Sequence, residues 1–434
     1  MRRATSFVLL AAGVLILAPV LAAQYAPSAS SSFYDKGTIY LDWTGARYPD
    51  NVYYNQVSTR IRFDLINPPG QGWTLRLDDR DRLGIRSRTT NQVILYDARL
   101  TYDKPGSVVY LSIGQMNLYD TAGIGALLGA VAAVKIGPDF MAGAFGGLES
   151  TPYIERLDSR YYKAGAFVRW LGGQGRTAGL TFNQIWFDGE TERRFAYGNL
   201  FFPWRKILVI YGDAEYELGS HVAGTNRLSR LFGNARLDLG RWADVTASFS
   251  SGKGLDFHRY LIEASQDPTL FNQDIERFYY SNYYGVQLSL KPAKGLRLSV
   301  TRQESQQKDL GFVNHTWRVG ASAWNVLWRG LSFVGNYSFN RGSLSESDSY
   351  YVSLAKDFGP FSVNASYSNT FKGLRFDPAT GEPLPVNVAD SRNVALGTLI
   401  RLSRGLSAQV EYGGFLQPGQ NEHFLFVRFI YRTR

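Results

Sequence analysis

The segment 423-HFLFVRFIYRTR-434 alternates between two kinds of side chain, and this alternation limits what the chain can fold into. Successive side chains of a β-strand point to opposite faces, so every second residue shares a face. One face is mixed and includes Arg428. The other is wholly apolar and consists of Leu425, Val427, Phe429 and Tyr431. The apolar face must lie against either a protein core or lipid.

The same alternation recurs along the chain in segments of about ten residues, the length that a tilted strand needs to cross a hydrocarbon layer. The segments 294-KGLRLSV-300, 329-RGLSFVG-335 and 404-RGLSAQV-410 each begin with a basic residue and a glycine and then alternate. We expect about 22 strands, within a range of about 20 to 22.

Short and long connections alternate between these segments. The turns 136-IGPD-139 and 238-DLGR-241 are tight, whereas residues 217–227, 252–277 and 373–391 form long, polar connections. Because lipid satisfies no bare backbone group, a membrane sheet survives only without edges. The sequence therefore predicts an all-β fold, a closed antiparallel transmembrane β-barrel with short periplasmic turns and longer extracellular loops.

A soluble β-sandwich or propeller is the alternative architecture. Strands in such folds average about five to six residues, and propellers repeat with a regular blade period. Segments of about ten residues without a regular period disfavour both folds.

The N-terminal residues 1–22 are predicted to be a secretory signal peptide. Arg2 and Arg3 precede the apolar run 7-FVLLAAGVLILAPVLA-22, which ends in small residues. A transmembrane anchor is the alternative, but the run is shorter than the ~20 residues of a spanning helix. We expect residues 23–36 to be a flexible mature N-terminus, too short for a plug domain, and residues 37–432 to form the barrel.

Composition narrows the chemistry. The chain has no cysteine, so covalent haem attachment, iron–sulfur clusters and thiol chemistry are excluded. The segment 123-GIGALLGAVAAVKIG-137 lacks the G-x-x-x-x-G-K-[ST] pattern of a phosphate loop. We therefore expect no cofactor and no nucleic-acid partner.

Together these features resemble bacterial outer-membrane β-barrels of the porin type. The resemblance covers nearly all of the mature chain and rests on the signal peptide, the alternation, the turn asymmetry and the aromatic final strand. It departs in one respect, because Arg432, Thr433 and Arg434 follow the aromatic pair Phe429 and Tyr431. The resemblance implies a place in the outer membrane, contact with its lipid and lipopolysaccharide, recognition of the C-terminal strand by the barrel-assembly machinery, and diffusion of small hydrophilic solutes.

Charged side chains define the predicted inner wall. A charge facing the bilayer midplane costs ~2–4 kcal/mol, so the charged face of each strand is assigned to the lumen. The candidate lumen-lining residues are Arg60, Arg62, Asp64, Arg76, Asp78, Arg99, Arg169, Arg236, Arg297 and Arg318. With a net charge of +10, they suggest a positive lumen that favours anions. Alternatively, the arginines pair with inward carboxylates and only hydrate the wall.

Five tryptophans are predicted to mark one membrane interface. They stand beside the short turns, where amphipathic rings collect, and they are Trp73, Trp170, Trp204, Trp242 and Trp328. The alternative is that they fill a soluble core.

Small residues occupy both faces of the segment 123–137. We interpret it as a smooth inner wall against which a loop packs, with residues 252–277 as the candidate loop that narrows the pore. The alternative is a lipid-facing strand with small side chains.

No catalytic or metal site is evident in the sequence, and we expect no enzyme activity. His221, His258, His315 and His423 lack metal-ligand spacing, and no nucleophile pairs with them. The second functional hypothesis is a barrel sheath of a porin–cytochrome electron conduit, with a periplasmic partner and its haem in the lumen.

Overall fold

The computed structural model describes most of the chain between residues 34 and 433. The described ranges are 34–48, 53–66, 71–84, 92–118, 123–150, 157–205, 207–220, 228–253, 280–307, 311–326, 328–343, 345–375, 391–417 and 420–433. The predicted signal peptide, residues 23–33, nearly all of the candidate loop 252–277, and His221 and His258 lie outside these ranges.

Regular alternation produces 22 strands. They are β1 (Tyr34–Arg47), β2 (Tyr53–Ile66), β3 (Trp73–Gly84), β4 (Gln92–Tyr102), β5 (Val109–Asn117), β6 (Ala126–Ile136), β7 (Phe140–Ser150), β8 (Leu157–Gly172), β9 (Arg176–Phe187), β10 (Glu190–Trp204), β11 (Leu208–Ser220), β12 (Leu228–Asp238), β13 (Ala243–Lys253), β14 (Tyr280–Ala293), β15 (Leu296–Gln307), β16 (Phe312–Trp324), β17 (Leu331–Gly342), β18 (Ser345–Asp357), β19 (Phe361–Arg375), β20 (Ser391–Arg401), β21 (Leu406–Gln417) and β22 (Gln420–Arg432). A single turn of 3-10 helix, Gly173–Gly175, joins β8 to β9.

The sheet closes on itself. Each strand pairs antiparallel with the next, and β22 pairs antiparallel with β1 from Thr38↔Arg432 to Arg47↔His423. On the inner side of this seam, Arg428 Nε and a terminal nitrogen donate to the two carboxylate oxygens of Asp42 at 2.7 and 2.9 Å. The predicted closed 22-stranded barrel is confirmed, and its first strand begins three residues earlier than predicted, at Tyr34.

The two ends of the barrel differ in their connections. We call the end with β2–β3, β4–β5 and β6–β7 connections the turn end, and the opposite end the loop end. Long connections lie at the loop end, but the β9–β10 connection there is only Asp188 and Gly189. Both residues have positive φ, 50° and 86°, which suits the two-residue hairpin turn formed by Asp-Gly. The alternation of short and long connections is therefore less strict than the sequence suggests.

The outer surface carries an apolar belt. Outward positions remain exposed although they are apolar, as at Leu180 (61%), Val286 (54%) and Val319 (50%). Such a belt around a closed sheet matches the hydrocarbon layer of a bilayer, so the barrel is a transmembrane fold. Within the described part of the chain, no helix is long and apolar enough to cross a bilayer.

All five predicted interface tryptophans lie at the turn end. Trp73 opens β3, Trp204 closes β10, and Trp170 stands two residues before the end of β8. Trp242 and Trp328 occupy turns, and Lys356 Nζ lies 4.1 Å from the Trp328 ring centroid. Rings beside cations at one level suit a membrane–water interface, which remains a proposal for these residues.

Candidate functional site on the inner wall

An arginine sector covers the inner faces of β22 and β1–β4. Because register places inward residues of neighbouring strands side by side, acids and bases meet across strands. Arg60 donates to both oxygens of Asp78 at 2.7 and 2.8 Å. Arg76 Nε donates to Asp64 at 2.6 Å. Four pairs are formed in this sector, counting Arg428–Asp42 at the seam and Arg99–Asp97 at 3.4 Å.

Arg62 and Arg80 of this sector have no ion-pair partner among the described residues. Arg62 and Arg80 line a cleft of about 210 Å³ with Tyr40, Asp42, Arg60 and Arg428. The four carboxylates of the sector are already engaged, so the uncompensated guanidinium groups leave a positive surface. Both hypotheses from the sequence thus have support, since some arginines hold carboxylates and others face the lumen.

A second cationic group surrounds one buried carboxylate at the turn end. Asp244 Oδ2 is 2.8 Å from Arg297, 3.3 Å from Lys291 and 3.9 Å from Arg236. The strand register brings these residues from β12, β13, β14 and β15 together. One carboxylate shared by three cations leaves an excess of positive charge, part of which Asp238 offsets at 3.3 Å from Lys291.

Two further predicted residues stand apart from both groups. Arg169 lines a pocket of about 110 Å³ at the turn end with Lys135, Tyr110 and Asp103. Arg318 pairs in register with Thr301 and Ser338 on the inner face of β16, and no described acid contacts it. The ten predicted lumen residues therefore all face inward but form two clusters and two separate positions.

Sequence reasoning overlooked two residues that complete these clusters. Asp42, in 34-YDKGTIYLDWTGAR-47, was not named as a lumen residue, although its parity against Leu41 and Trp43 is visible in the sequence. Asp244 follows a turn and lacks a long alternating segment before it, so no pattern pointed to it.

The β5–β6 connection folds into the lumen. Leu118 N donates to Gly125 O at 2.9 Å, which closes the base of this turn. At its described tip, a Cβ on Gly123 would lie 2.1 Å from Cε1 of Tyr197, an inward residue of β10. Because β7, β8 and β9 lie between β6 and β10, the turn must cross the inner faces of those strands. Gly123 and Gly125 have φ of 71° and 79°, a region that favours glycine.

The inward turn rests on an apolar patch of the inner wall. Ile124 is 0% exposed and packs with apolar side chains from β5 to β8. The patch consists of Met116, Leu118, Leu127, Val131, Ala133, Met141, Phe145 and Phe167. Apolar burial of this kind holds the turn against the wall and narrows the lumen on that side.

This arrangement corrects the interpretation of residues 123–137 as a smooth strand wall. Residues 123–125 belong to the turn, and the inner positions of β6 are Leu127, Gly129, Val131 and Ala133. The small residues are present because neighbouring backbones approach closely: a Cβ on Gly129 would lie 2.0 Å from Gly146 O. The predicted narrowing segment 252–277 lies almost wholly outside the described residues, and the narrowing that the structure describes comes from Leu118 and residues 123–125.

Ionic contacts flank the tip of the turn. Tyr197 pairs in register with Glu215, and Asp213 lies 2.9 Å from Arg230 Nε. Nearer the loop end, Arg193 Nε donates to Glu217 at 2.8 Å, and a second nitrogen of Arg193 contacts Glu215. Carboxylates thus concentrate on β11, on the wall that the turn touches.

The two described histidines lie on the outer face near the loop end. His315 Nδ1 is 3.1 Å from Glu304, and His423 Nδ1 is 2.9 Å from the Tyr412 hydroxyl. Among the described residues, no group of three His, Cys, Asp or Glu side chains could hold a metal ion.

Comparisons with known proteins bear on the fold. No family model matches the chain, and no curated protein sequence matches it. A mutant of the ferric enterobactin receptor PfeA from Pseudomonas aeruginosa is similar in structure, with a TM-score of 0.54, 10% identity, and coverage of 92% of this chain and 80% of that chain. At this identity, the likeness supports the barrel fold alone.

Two smaller barrels align over more of their length. Pseudomonas aeruginosa OccK7 (OpdD) aligns with a TM-score of 0.44 and 10% identity, over 94% of this chain and 99% of that chain. Acinetobacter baumannii OccAB4 aligns with a TM-score of 0.43 and 11% identity, over 94% and 100%. At TM-scores below 0.5, these two likenesses support no inference about the chain.

Proposed function

We propose that this barrel is an outer-membrane channel for passive diffusion of small hydrophilic solutes, with a preference for anions. The observation that carries the proposal is the arginine sector, in which Arg62 and Arg80 lack described acidic partners beside a cleft of about 210 Å³. Uncompensated cations on a pore wall lower the entry barrier for anions. Leu118 and residues 123–125 of the inward turn narrow the lumen and limit solute size.

The expected strength of selection follows from Coulomb's law. An anion passing about 7 Å from one guanidinium in water gains about 0.6 kcal/mol, so two such groups supply about 1.2 kcal/mol. Screening at an ionic strength of about 0.1 M roughly halves this value. The chloride ion gains and the potassium ion loses about 0.6 kcal/mol, so two uncompensated arginines should change the chloride-to-potassium permeability ratio about eightfold.

Replacing both arginines tests the proposal. R62Q/R80Q should lower the chloride-to-potassium permeability ratio about eightfold in planar bilayers at about 0.1 M salt. R205Q/R241Q removes the same charge from turns at the turn end and should leave the ratio nearly unchanged. An equal effect of both variants would mean that overall charge, not the arginine sector, determines selectivity.

The surroundings follow from the same proposal. The apolar belt would contact outer-membrane lipid, loop charges would contact lipopolysaccharide, and β22 would present the barrel to the assembly machinery. A periplasmic partner would contact the barrel at its turn end. Transport requires no catalysis, and His315 and Glu304 lie on the outer face, away from the solute.

The electron-conduit sheath is the weaker proposal. A sheath would bury its inner wall against a protein, and guanidinium groups without partners are costly to bury. Arg62 and Arg80 therefore favour an aqueous solute. A sheath would copurify with haem absorbance and would conduct no ions by itself.

A further inference from the structure

The inner faces of β17, β18 and β19 are lined by neutral hydrogen-bonding side chains. Alternation fixes this face, because the intervening Tyr337, Val352 and Leu354 are exposed on the outer surface. The inward positions include Asn336, Ser338, Ser349, Ser353, Ser366 and Ser368. The Ser338 and Ser349 hydroxyls lie 2.7 Å apart, and Ser353 stands beside Ser366 in register.

This hydroxyl sector, the inner faces of β13–β20, carries few charges. Among the residues of this sector whose side chains are described, Arg318 is the one charged side chain away from the turn end. The arginine sector on β22 and β1–β4 is the opposite case, because each of its five strands contributes a side chain to an ion pair. The lumen therefore has two chemically distinct walls.

The hydroxyl sector lies beside the arginine sector, because only β21 separates β20 from β22. In the closed ring of 22 strands, β18 and β2 are six strands apart, about a quarter of the ring. A solute in the lumen can thus present a charge to the arginines and its remaining surface to the hydroxyl sector.

Hydrogen bonding determines which remaining surface is favoured. A polar group that leaves water without a new partner loses about 1–3 kcal/mol. Serine hydroxyls and asparagine amides both donate and accept, so they replace the water around a solute hydroxyl. An alkyl chain gains nothing from them.

We propose that the channel prefers anions that carry several hydroxyl groups, such as six-carbon sugar acids, over alkyl anions of equal charge and length. This inference rests on the proposed anion channel and specifies its solute class. Gluconate and hexanoate form a matched pair, since both are six-carbon monocarboxylates and only gluconate carries hydroxyls beyond its carboxylate.

Reversal potentials in planar bilayers test the inference on the unaltered protein. Gluconate should be at least about threefold more permeant than hexanoate, the effect of one net hydrogen bond. A ratio equal to that of the free-solution mobilities would overturn the inference. Chloride against potassium, measured in the same bilayers, reports on the proposed function separately. Chloride selectivity without a preference for gluconate would overturn the proposed solute class and leave the proposed anion channel standing. Cation selectivity would overturn both proposals.

Variants locate the effect. S349A/S353A/S366A should lower the gluconate-to-hexanoate ratio about threefold and leave chloride selectivity unchanged. S107A/S343A/S403A removes three hydroxyls from connections between strands and should leave the ratio as it was. Equal ratios in the two triple variants would overturn the assignment to the hydroxyl sector.

Discussion

Replacing Gly123 by alanine tests whether the β5–β6 connection is seated against Tyr197 of β10. Two penalties apply to this variant. An alanine at positive φ costs ~1–2 kcal/mol relative to glycine. Its Cβ would also lie 2.1 Å from Tyr197 Cε1, and overpacking of this kind costs about 1–3 kcal/mol. G123A should therefore lower the free energy of unfolding by about 2–5 kcal/mol.

Gly106 supplies a matched control. Its φ is 78°, close to the 71° of Gly123, but an added Cβ would meet nothing within 4 Å. G106A should then show the backbone penalty alone, about 1–2 kcal/mol. Urea unfolding in lipid vesicles measures both variants.

A double-mutant cycle identifies the contact. Removing the ring in Y197A should relieve G123A, so the two changes should couple by about 1–3 kcal/mol. Equal destabilisation by G123A and G106A, with no coupling to Y197A, would refute the seating of the turn on Tyr197. The contact that places the turn across the lumen wall would then be absent, and so would the narrowing of the lumen.

Two further predictions concern closure and the membrane belt. D42A breaks the Arg428 pair across the β1–β22 seam and should lower the free energy of unfolding by about 1–2 kcal/mol in a urea titration. D103A breaks an exposed pair with Lys135 and should lower it by less than about 0.5 kcal/mol in the same titration. Similar values for the two variants would contradict a structural role for the seam pair. L298R places a charge on the exposed outer face near the turn end and should destabilise by ~1–2 kcal/mol, between the midplane and interface costs. S299R, one residue along on the inner face, should be tolerated. The reverse order would show that the two faces are misassigned.

Strand faces could be predicted from the sequence because the solvent differs on the two sides. At Leu298 and Arg297, for instance, a slip of one residue would place the charge in lipid, so parity alone assigns both residues. This reasoning assigns all ten candidate lumen residues to the inner face, which stays a prediction for the role of these residues.

Partners across strands could not be predicted in the same way. Which arginine meets which carboxylate depends on register, and register changes at bulges such as the one between Asp78 and Asp79 opposite β4. Register alone does not decide the partner either: Asp78 stands directly opposite Arg62, but its ion pair is with Arg60, the diagonal neighbour.

The inward turn was beyond the reach of sequence patterns for another reason. Its position depends on burial of Ile124 and Leu118 against side chains from β7 and β8, which are contacts between distant parts of the chain. Gly123 and Gly125 were a usable signal, because closely spaced glycines mark turns, but the small residues that follow made them appear to continue the strand.

The polarity of the zero-current potential in a KCl gradient tests the central claim most directly. One barrel inserted into a planar bilayer should conduct without a partner and give the polarity of a chloride-selective pore. A potassium-selective polarity would contradict the positive lumen inferred from Arg62 and Arg80. A correctly folded, inserted barrel that passes no current would contradict the proposed open channel.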